Sequence, residues 1–178
     1  MFEKINILLQ REHFRPKPIN DSLSVYVFDT FMDDLDSNRN LFTQAEYKNL
    51  CQHRLKIDDY ILTKNCRFMD DFVSVYTFAL NRKKIVLEKL QRENLNYIAN
   101  DSVRFSKDFF PFDMEEKNIE KIWNKRIRYD ILEEIAKSGK NLDSLHLNFK
   151  SLEKTAKQTI FDNNLCKVNS ILNSNKGL

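Results

Sequence analysis

The chain has 178 residues, of which 31% are charged and 42% hydrophobic, and its net charge is +3. It contains only 2 Gly and 3 Pro, whereas average usage would give roughly a dozen Gly in a chain of this length. Turns that require a positive φ must therefore be few, which argues against a β-sandwich or a doubly wound sheet. The length suits one domain with a real core, so we predict that residues 1–178 form a single helical domain.

Apolar residues recur at three- and four-residue steps along most of the chain, which predicts an all-α fold, an irregular bundle of about five to six helices. Two prolines in RPKPIN end the first helix, because proline forces extended backbone around itself. Ser22 or Ser24 is the expected N-cap of the second. The predicted helices cover residues 2–14, 22–35, 44–62, 68–91, about 116 to the Ser138-Gly139 pair, and 149–172.

Helical periodicity stops between residues 94 and 115, where the sequence SVRFSKDFFPFDM is rich in aromatic residues. So long a segment without regular structure is unusual in a compact domain unless it packs or serves a purpose. We predict that at least two phenylalanines of this loop are buried against the helices around Trp123. The candidates are Phe105, Phe109, Phe110 and Phe112.

The stretch DDLDSNRNLFTQAE, residues 33–46, resembles the start of a calcium-binding loop, because oxygen-bearing side chains alternate along it. These are Asp34, Asp36, Asn38 and Asn40. Counted from Asp34, however, the sixth position is Arg39, where the loop needs Gly, and the twelfth is Ala45, where it needs a carboxylate. We therefore predict a junction between two helices and no metal site.

Thr43 and Glu46 have the spacing of a capping box, in which each side chain accepts a hydrogen bond from the other residue's backbone N–H. Phe42 and Tyr47 are then placed as a hydrophobic staple across the start of this helix. The capping box favours the junction over the metal loop.

No catalytic, cofactor-binding or metal-ligating residue is predicted. The three histidines and three cysteines lack ligand or redox spacing, and adjacent aspartates on a helix point about 100° apart, so they do not converge. The residues considered are His13, His53, His146, Cys51, Cys66, Cys166, and the pairs Asp33-Asp34, Asp58-Asp59 and Asp70-Asp71.

The basic clusters Arg82-Lys83-Lys84 and Lys125-Arg126 with Arg128 are interleaved with acids, which is typical of solvated helix faces. With a net charge of only +3, we predict no nucleic-acid partner. No apolar run is long enough to span a membrane, and the sequence opens without the pattern of a signal peptide.

Three stretches within residues 8–140 together carry a family resemblance. The first is HFRPKPINDSLSVYVFDTFMDDLDSNRNLFTQAEYKNL, with His13-Phe14, Pro18, Ser24, Leu35-Asp36 and Phe42. The second is FMDDFVSVYTFALNRKK, with a Phe-rich face, and the third is SKDFFPFDMEEKNIEKIWNKRIRYDIL, a Pro-containing loop followed by a Trp helix. In this order they resemble the N-terminal region of the tail-specific (C-terminal processing) serine proteases.

The resemblance implies a non-catalytic helical domain of a periplasmic protease that cuts proteins from their C-terminal ends. In that family the PDZ domain and the catalytic Ser and Lys lie beyond this region, so no catalytic residue is carried over onto the chain. Protein substrates and an adaptor lipoprotein are the implied partners, and no cofactor is implied. Two alternatives remain open from the residues: a free-standing helical interaction module and a weak nucleic-acid binder.

Overall fold

The computed structural model describes residues 7–8, 11–14, 18–98, 101–103, 110–137 and 142–174, with side chains from residue 147 onward in the last segment. Regular structure in these ranges is helical, with no strand, which confirms the predicted all-α class. Short helical stretches occur at 7–8 and 11–12. The longer helices in the described ranges are α1 (Asp21–Leu35), α2 (Gln44–Leu50), α3 (Ile57–Thr63), α4 (Arg67–Arg92), α5 (Ile119–Ala136) and α6 (Leu142–Ser174), with 3₁₀ turns at Cys51–His53 and Glu116–Asn118.

Helix α1 has the predicted extent but a different cap. The Asn20 side chain accepts hydrogen bonds from the backbone N–H groups of Ser22 and Leu23, so Asn20 is the N-cap and the prediction of Ser22 or Ser24 was wrong. Ser24 is buried instead, and its hydroxyl donates to the Asp58 carboxylate at 2.6 Å. The Ser24 hydroxyl also accepts the Asp58 backbone N–H at 2.8 Å. Together the two bonds join α1 to α3.

The single helix predicted for residues 44–62 was wrong, since the structure divides it into α2 and α3 with the Cys51–His53 turn between them. His53 lies in this turn. Its ring is buried, with Nδ1 2.9 Å from the Tyr60 hydroxyl and Nε2 3.0 Å from the Asp71 carboxylate. Helix α3 then ends at Lys64, which has the left-handed conformation at φ 57°.

The remaining predicted helices are confirmed with shifted ends. Helix α4 covers the predicted 68–91, and α5 follows the Glu116–Asn118 turn, where helix signals were predicted to resume. Helix α6 begins at Leu142, before the predicted Phe149. The predicted end at Ser138-Gly139, and most of the predicted first helix, lie outside the described residues.

The chain forms two compact units. Unit 1 comprises Met1–Tyr76 and Ser106–Asp113, and unit 2 comprises Thr77–Phe105 and Met114–Leu178. The boundary falls within α4, and the 106–113 segment of unit 1 is inserted between two parts of unit 2.

Unit 1 is held by a network of aromatic rings. Phe31 lies edge-on to Phe72 at 4.8 Å, and Phe28 contacts Phe68 at 5.9 Å. Rings at such separations add to the free energy already gained by burying their area. Phe42, just before α2, packs on Phe72 at 6.4 Å. The rings therefore join α1, the α1–α2 junction and the first half of α4.

Unit 2 is held by aliphatic residues on helices. Helix α5 packs along α6, and its buried residues recur at three- and four-residue steps. Trp123, the one tryptophan in the sequence, is 4% exposed and has the Lys83 ammonium over its ring at 4.4 Å. The buried apolar residues of this unit include Ala79, Leu80, Leu87, Leu90, Ile119, Ile127, Ile131, Ile135, Phe161 and Val168.

Candidate functional site

The junction between α1 and α2 is built on the Asp36 carboxylate, which accepts the backbone N–H groups of Asn40, Leu41 and Phe42 at 2.9–3.0 Å. Its oxygens are thus engaged by the chain itself. The Thr43–Glu46 capping box is confirmed, with bonds of 3.2 and 2.8 Å. Across the described residues, no group of three or more His, Cys, Asp or Glu is placed to hold a metal ion.

Arg39 occupies the turn where the sequence analysis required Gly, at φ 54°. A side-chain-bearing residue in this region costs about 1–2 kcal/mol, and the contacts of the buried guanidinium offset that cost. Nε donates to the Phe110 carbonyl at 2.9 Å and Nη1 to the Asp36 carbonyl at 2.7 Å, while Nη2 pairs with Asp33. The guanidinium carbon lies 4.1 Å from the centre of the Phe112 ring. The sharp turn that Gly would favour is therefore made by Arg39.

Phe112 is stacked on Tyr47, with ring centres 3.8 Å apart and planes inclined by 8°. Phe112 is buried and Phe110 half-buried, while Phe105 and Phe109 lie outside the described residues. The sequence analysis expected this loop to pack on the helices around Trp123, whereas the structure packs Phe112 between Tyr47 and Arg39. The Pro-containing loop is thus fixed to the start of α2.

The aromatic cleft lies beside this stack in unit 1 and has a volume of about 560 Å³. Its walls include Phe110, Pro111 and Tyr47, and Arg54 holds Asp29 at its edge through two bonds of 2.7 and 2.6 Å. Burial raises the pKa of Tyr47 to about 12, so its hydroxyl stays protonated near neutral pH. The volume is within the range of ligand sites in proteins, and the lining combines aromatic residues with six charged or amide side chains.

Unit 2 contains a second buried arginine, Arg128, which is 9% exposed. Its guanidinium donates to the Asn124 side chain at 2.9 Å and to the Asn96 carbonyl at 2.8 Å, and it pairs with Asp101. This hydrogen bond from Arg128 lowers the pKa of Asp101. The prediction that Arg128 belongs to a solvated helix face was therefore wrong.

The cationic cleft lies beside Arg128 and has a volume of about 410 Å³. Four cationic residues line it against two carboxylates, which leaves a surplus of two positive charges. The lining residues are Lys117, Lys121, Lys125, Arg128, Asp101, Glu120 and Asn124.

Some of the residues considered as catalytic candidates have partners in the structure, while Cys66 and Cys166 are exposed. Asp58 is bonded to Ser24, and Asp71 lies beside His53. The burial of Arg39 and Arg128 was not predicted from the sequence. No local signal marks them, because Arg39 reaches Phe110 and Arg128 reaches Asn96 across 71 and 32 residues of chain.

A family model described as the tail specific protease N-terminal domain matches residues 5–174. The chain belongs to this family. The resemblance found in the three sequence stretches is thereby confirmed. Within the described part of this tail-specific protease N-terminal domain, no helix is long and apolar enough to cross a membrane.

Among curated proteins, the domain is similar to the tail-specific protease of Haemophilus influenzae (strain Rd), with 26% identity over 133 residues. The match covers 70% of this chain but 18% of that relative. The part of the tail-specific protease N-terminal domain that matches therefore spans less than a fifth of this curated relative.

Proposed function

We propose that the chain is the non-catalytic N-terminal domain of a periplasmic serine endopeptidase that processes proteins from their C-terminal ends. In this proposal residues 1–178 are one domain, which supports the protease core and positions polypeptide for it. The observation that carries the proposal is the match of one N-terminal-domain family model to residues 5–174. The match of this chain to 18% of a tail-specific protease supports a division of labour with a larger parent.

The aromatic cleft supports a positioning role. A polypeptide side chain can lie against Tyr47 and Phe110, while the paired charges of Arg54 and Asp29 offer hydrogen-bonding partners to its backbone. An adaptor lipoprotein, the partner implied by the sequence resemblance, would be held by the same kind of contact. Positioning of this sort raises the effective concentration of substrate at the core without any chemistry in the domain itself.

Deletion of the domain from the parent tests the proposal. We expect kcat/KM to fall about tenfold or more for a folded protein with an unstructured tail, because the tethering contribution is lost. A short free peptide reaches the core without help, so its cleavage should fall by less than about twofold. Circular dichroism and size-exclusion chromatography of the truncated parent would check that the core remains folded.

Two outcomes would contradict the proposal. An equal loss on both substrates would show that the domain only props the core. Peptidase activity of the isolated chain, retained after a serine-directed inhibitor has silenced any contaminating protease, would show that the domain is catalytic.

A further inference from the structure

We propose that the cationic cleft of unit 2 binds an extended, acidic polypeptide segment that carries carboxylates on alternate residues. The inference deepens the proposed function, since it names a class of polypeptide that the domain would hold. It rests on the charge of the cleft, the spacing of its lysines and the engagement of its acids.

The acids of the cleft are already engaged. Asp101 is bonded to Arg128 and lies 3.4 Å from Lys125, and Glu120 accepts both of its short bonds, at 2.7 Å, from Lys89 outside the cleft. Lys117 pairs with Glu115 at 2.8 Å. Lys121 is exposed, and it is the cleft cation that has no ion pair among the described residues. The positive charge of Lys121, which lies between Lys117 and Lys125 along the chain, is therefore available to an incoming carboxylate.

The lysines are spaced for an extended chain. Lys121 and Lys125 are four residues apart on α5, which corresponds to a rise of about 6 Å along the helix. Alternate residues of an extended segment lie about 6.6 Å apart on one side. One carboxylate can therefore meet Lys121 and the next can meet Lys125, whose ammonium has three donors and has Asp101 as one partner. Two turns of a helix with its side chains, at a diameter of about 10 Å, would fill about 850 Å³. That is twice the 410 Å³ of the cleft, which favours the narrower extended chain.

The cleft favours carboxylates over the phosphates of a nucleic acid. Arg128 has the planar fork that suits phosphate, but it is committed to Asp101 and Asn96. The surplus of two positive charges is modest, whereas nucleic-acid binding usually draws on several phosphate contacts. A nucleic acid is therefore the outcome that the experiment must separate from the peptide.

The test is a fluorescence-anisotropy titration of the 178-residue chain with a labelled peptide of alternating Asp and Ser, with both ends blocked. We expect saturable binding that weakens as salt is added, and no binding of the same peptide with Asn for Asp. Lys121→Glu should weaken binding about fivefold, since it removes one attraction and adds one repulsion. Lys154→Glu is the matched control, an exposed lysine on α6 with the same change of charge. It should change binding by less than about 1.5-fold.

A peptide with the opposite charge change tests whether Lys121 meets the peptide directly. When one central Asp is replaced by Lys, the peptide should bind Lys121→Glu better than it binds the native chain. Failure of the native chain to bind the Asp peptide would overturn the inference, and so would equal losses in the two variants. A single-stranded oligonucleotide that binds more tightly than the peptide, and is lost in Lys121→Glu, would reassign the cleft to nucleic acid. Because these measurements use no protease activity, their failure leaves the deletion experiment on the parent unaffected.

Discussion

Units 1 and 2 each use a buried arginine to fix a loop, but they surround it with different chemistry. Arg39 combines an ion pair and two carbonyl bonds with the face of the Phe112 ring. Arg128 holds a carboxylate, a carbonyl and an amide. The comparison teaches that a guanidinium can serve either as part of an aromatic core or as the centre of a polar network.

The difference predicts different vulnerabilities. Contacts with a ring depend on shape and on burial of apolar area, which change little with salt or pH. An ion pair depends on the charge of both partners and is lost when the carboxylate is protonated. The Phe112 ring contacts in unit 1 should therefore respond most to changes of side-chain shape, and the Arg128–Asp101 pair in unit 2 to changes of pH.

The largest expected effect is that of Phe112→Ala. Removing a buried, stacked ring should lower the free energy of unfolding by about 3 kcal/mol. Denaturant titration followed by circular dichroism measures the loss. Hydrogen exchange should locate it in residues 21–63, where the ring packs on Tyr47. Phe14→Ala is the matched control, because that ring is fully exposed. An equal increase of hydrogen exchange in α5 would show that the effect of losing the Phe112 ring is not confined to unit 1.

A smaller effect is expected from lysine at the two arginine positions. Arg39→Lys keeps the charge but loses the planar contact with Phe112 and two directed bonds, so we expect a loss of about 2 kcal/mol. Arg128→Lys loses no ring contact and should destabilise the protein less. Thermal unfolding of the two variants at one pH and one salt concentration gives the ranking. The reverse ranking would mean that the ring contributes little to holding the loop.

The smallest expected effect concerns acid. Because Arg128 lowers the pKa of Asp101 in the folded protein, the unfolded chain takes up this proton first as the pH falls. The stabilisation is present above the ordinary carboxyl pKa of about 4 and is lost as the pH falls below it. Asp101→Asn should therefore make stability fall less steeply between about pH 4 and pH 2.

The comparison is made with wild type at each pH, since burial raises the pKa of Asp130 and acts in the opposite direction. Asp34→Asn, an exposed site in unit 1, serves as the control. If the free energy of unfolding of Asp101→Asn falls with pH as steeply as that of wild type, the Arg128–Asp101 pair does not contribute to the pH dependence of stability.

Features encoded by neighbouring residues were predictable from the sequence. The capping box needs only Thr43 and Glu46, and α4 follows from apolar residues at helical spacing, so both were found. The all-α class followed from the same periodicity and from the shortage of glycine.

Features that depend on distant partners were missed. His53 lies in the turn between α2 and α3, with Asp71 and Tyr60 as its partners, and no signal within residues 44–62 indicates that break. Arg39 adopts a glycine-like conformation because Phe110 and Phe112, far along the chain, supply compensating contacts. The candidate clefts were not predicted for the same reason, since each is assembled around one of these long-range arginine contacts.

Residues 106–113 belong to unit 1 but follow the first segment of unit 2 along the chain. This order has a consequence for synthesis on the ribosome. Unit 1 begins at the N-terminus, yet it lacks Phe112 until the chain has been made beyond Asp113. Until then Tyr47 has no ring to stack on and the Arg39 guanidinium lacks its Phe110 carbonyl. The first segment of unit 2, Thr77–Phe105, is therefore synthesised before unit 1 is complete. Unit 1 therefore cannot complete its folding during synthesis before part of unit 2 has been made.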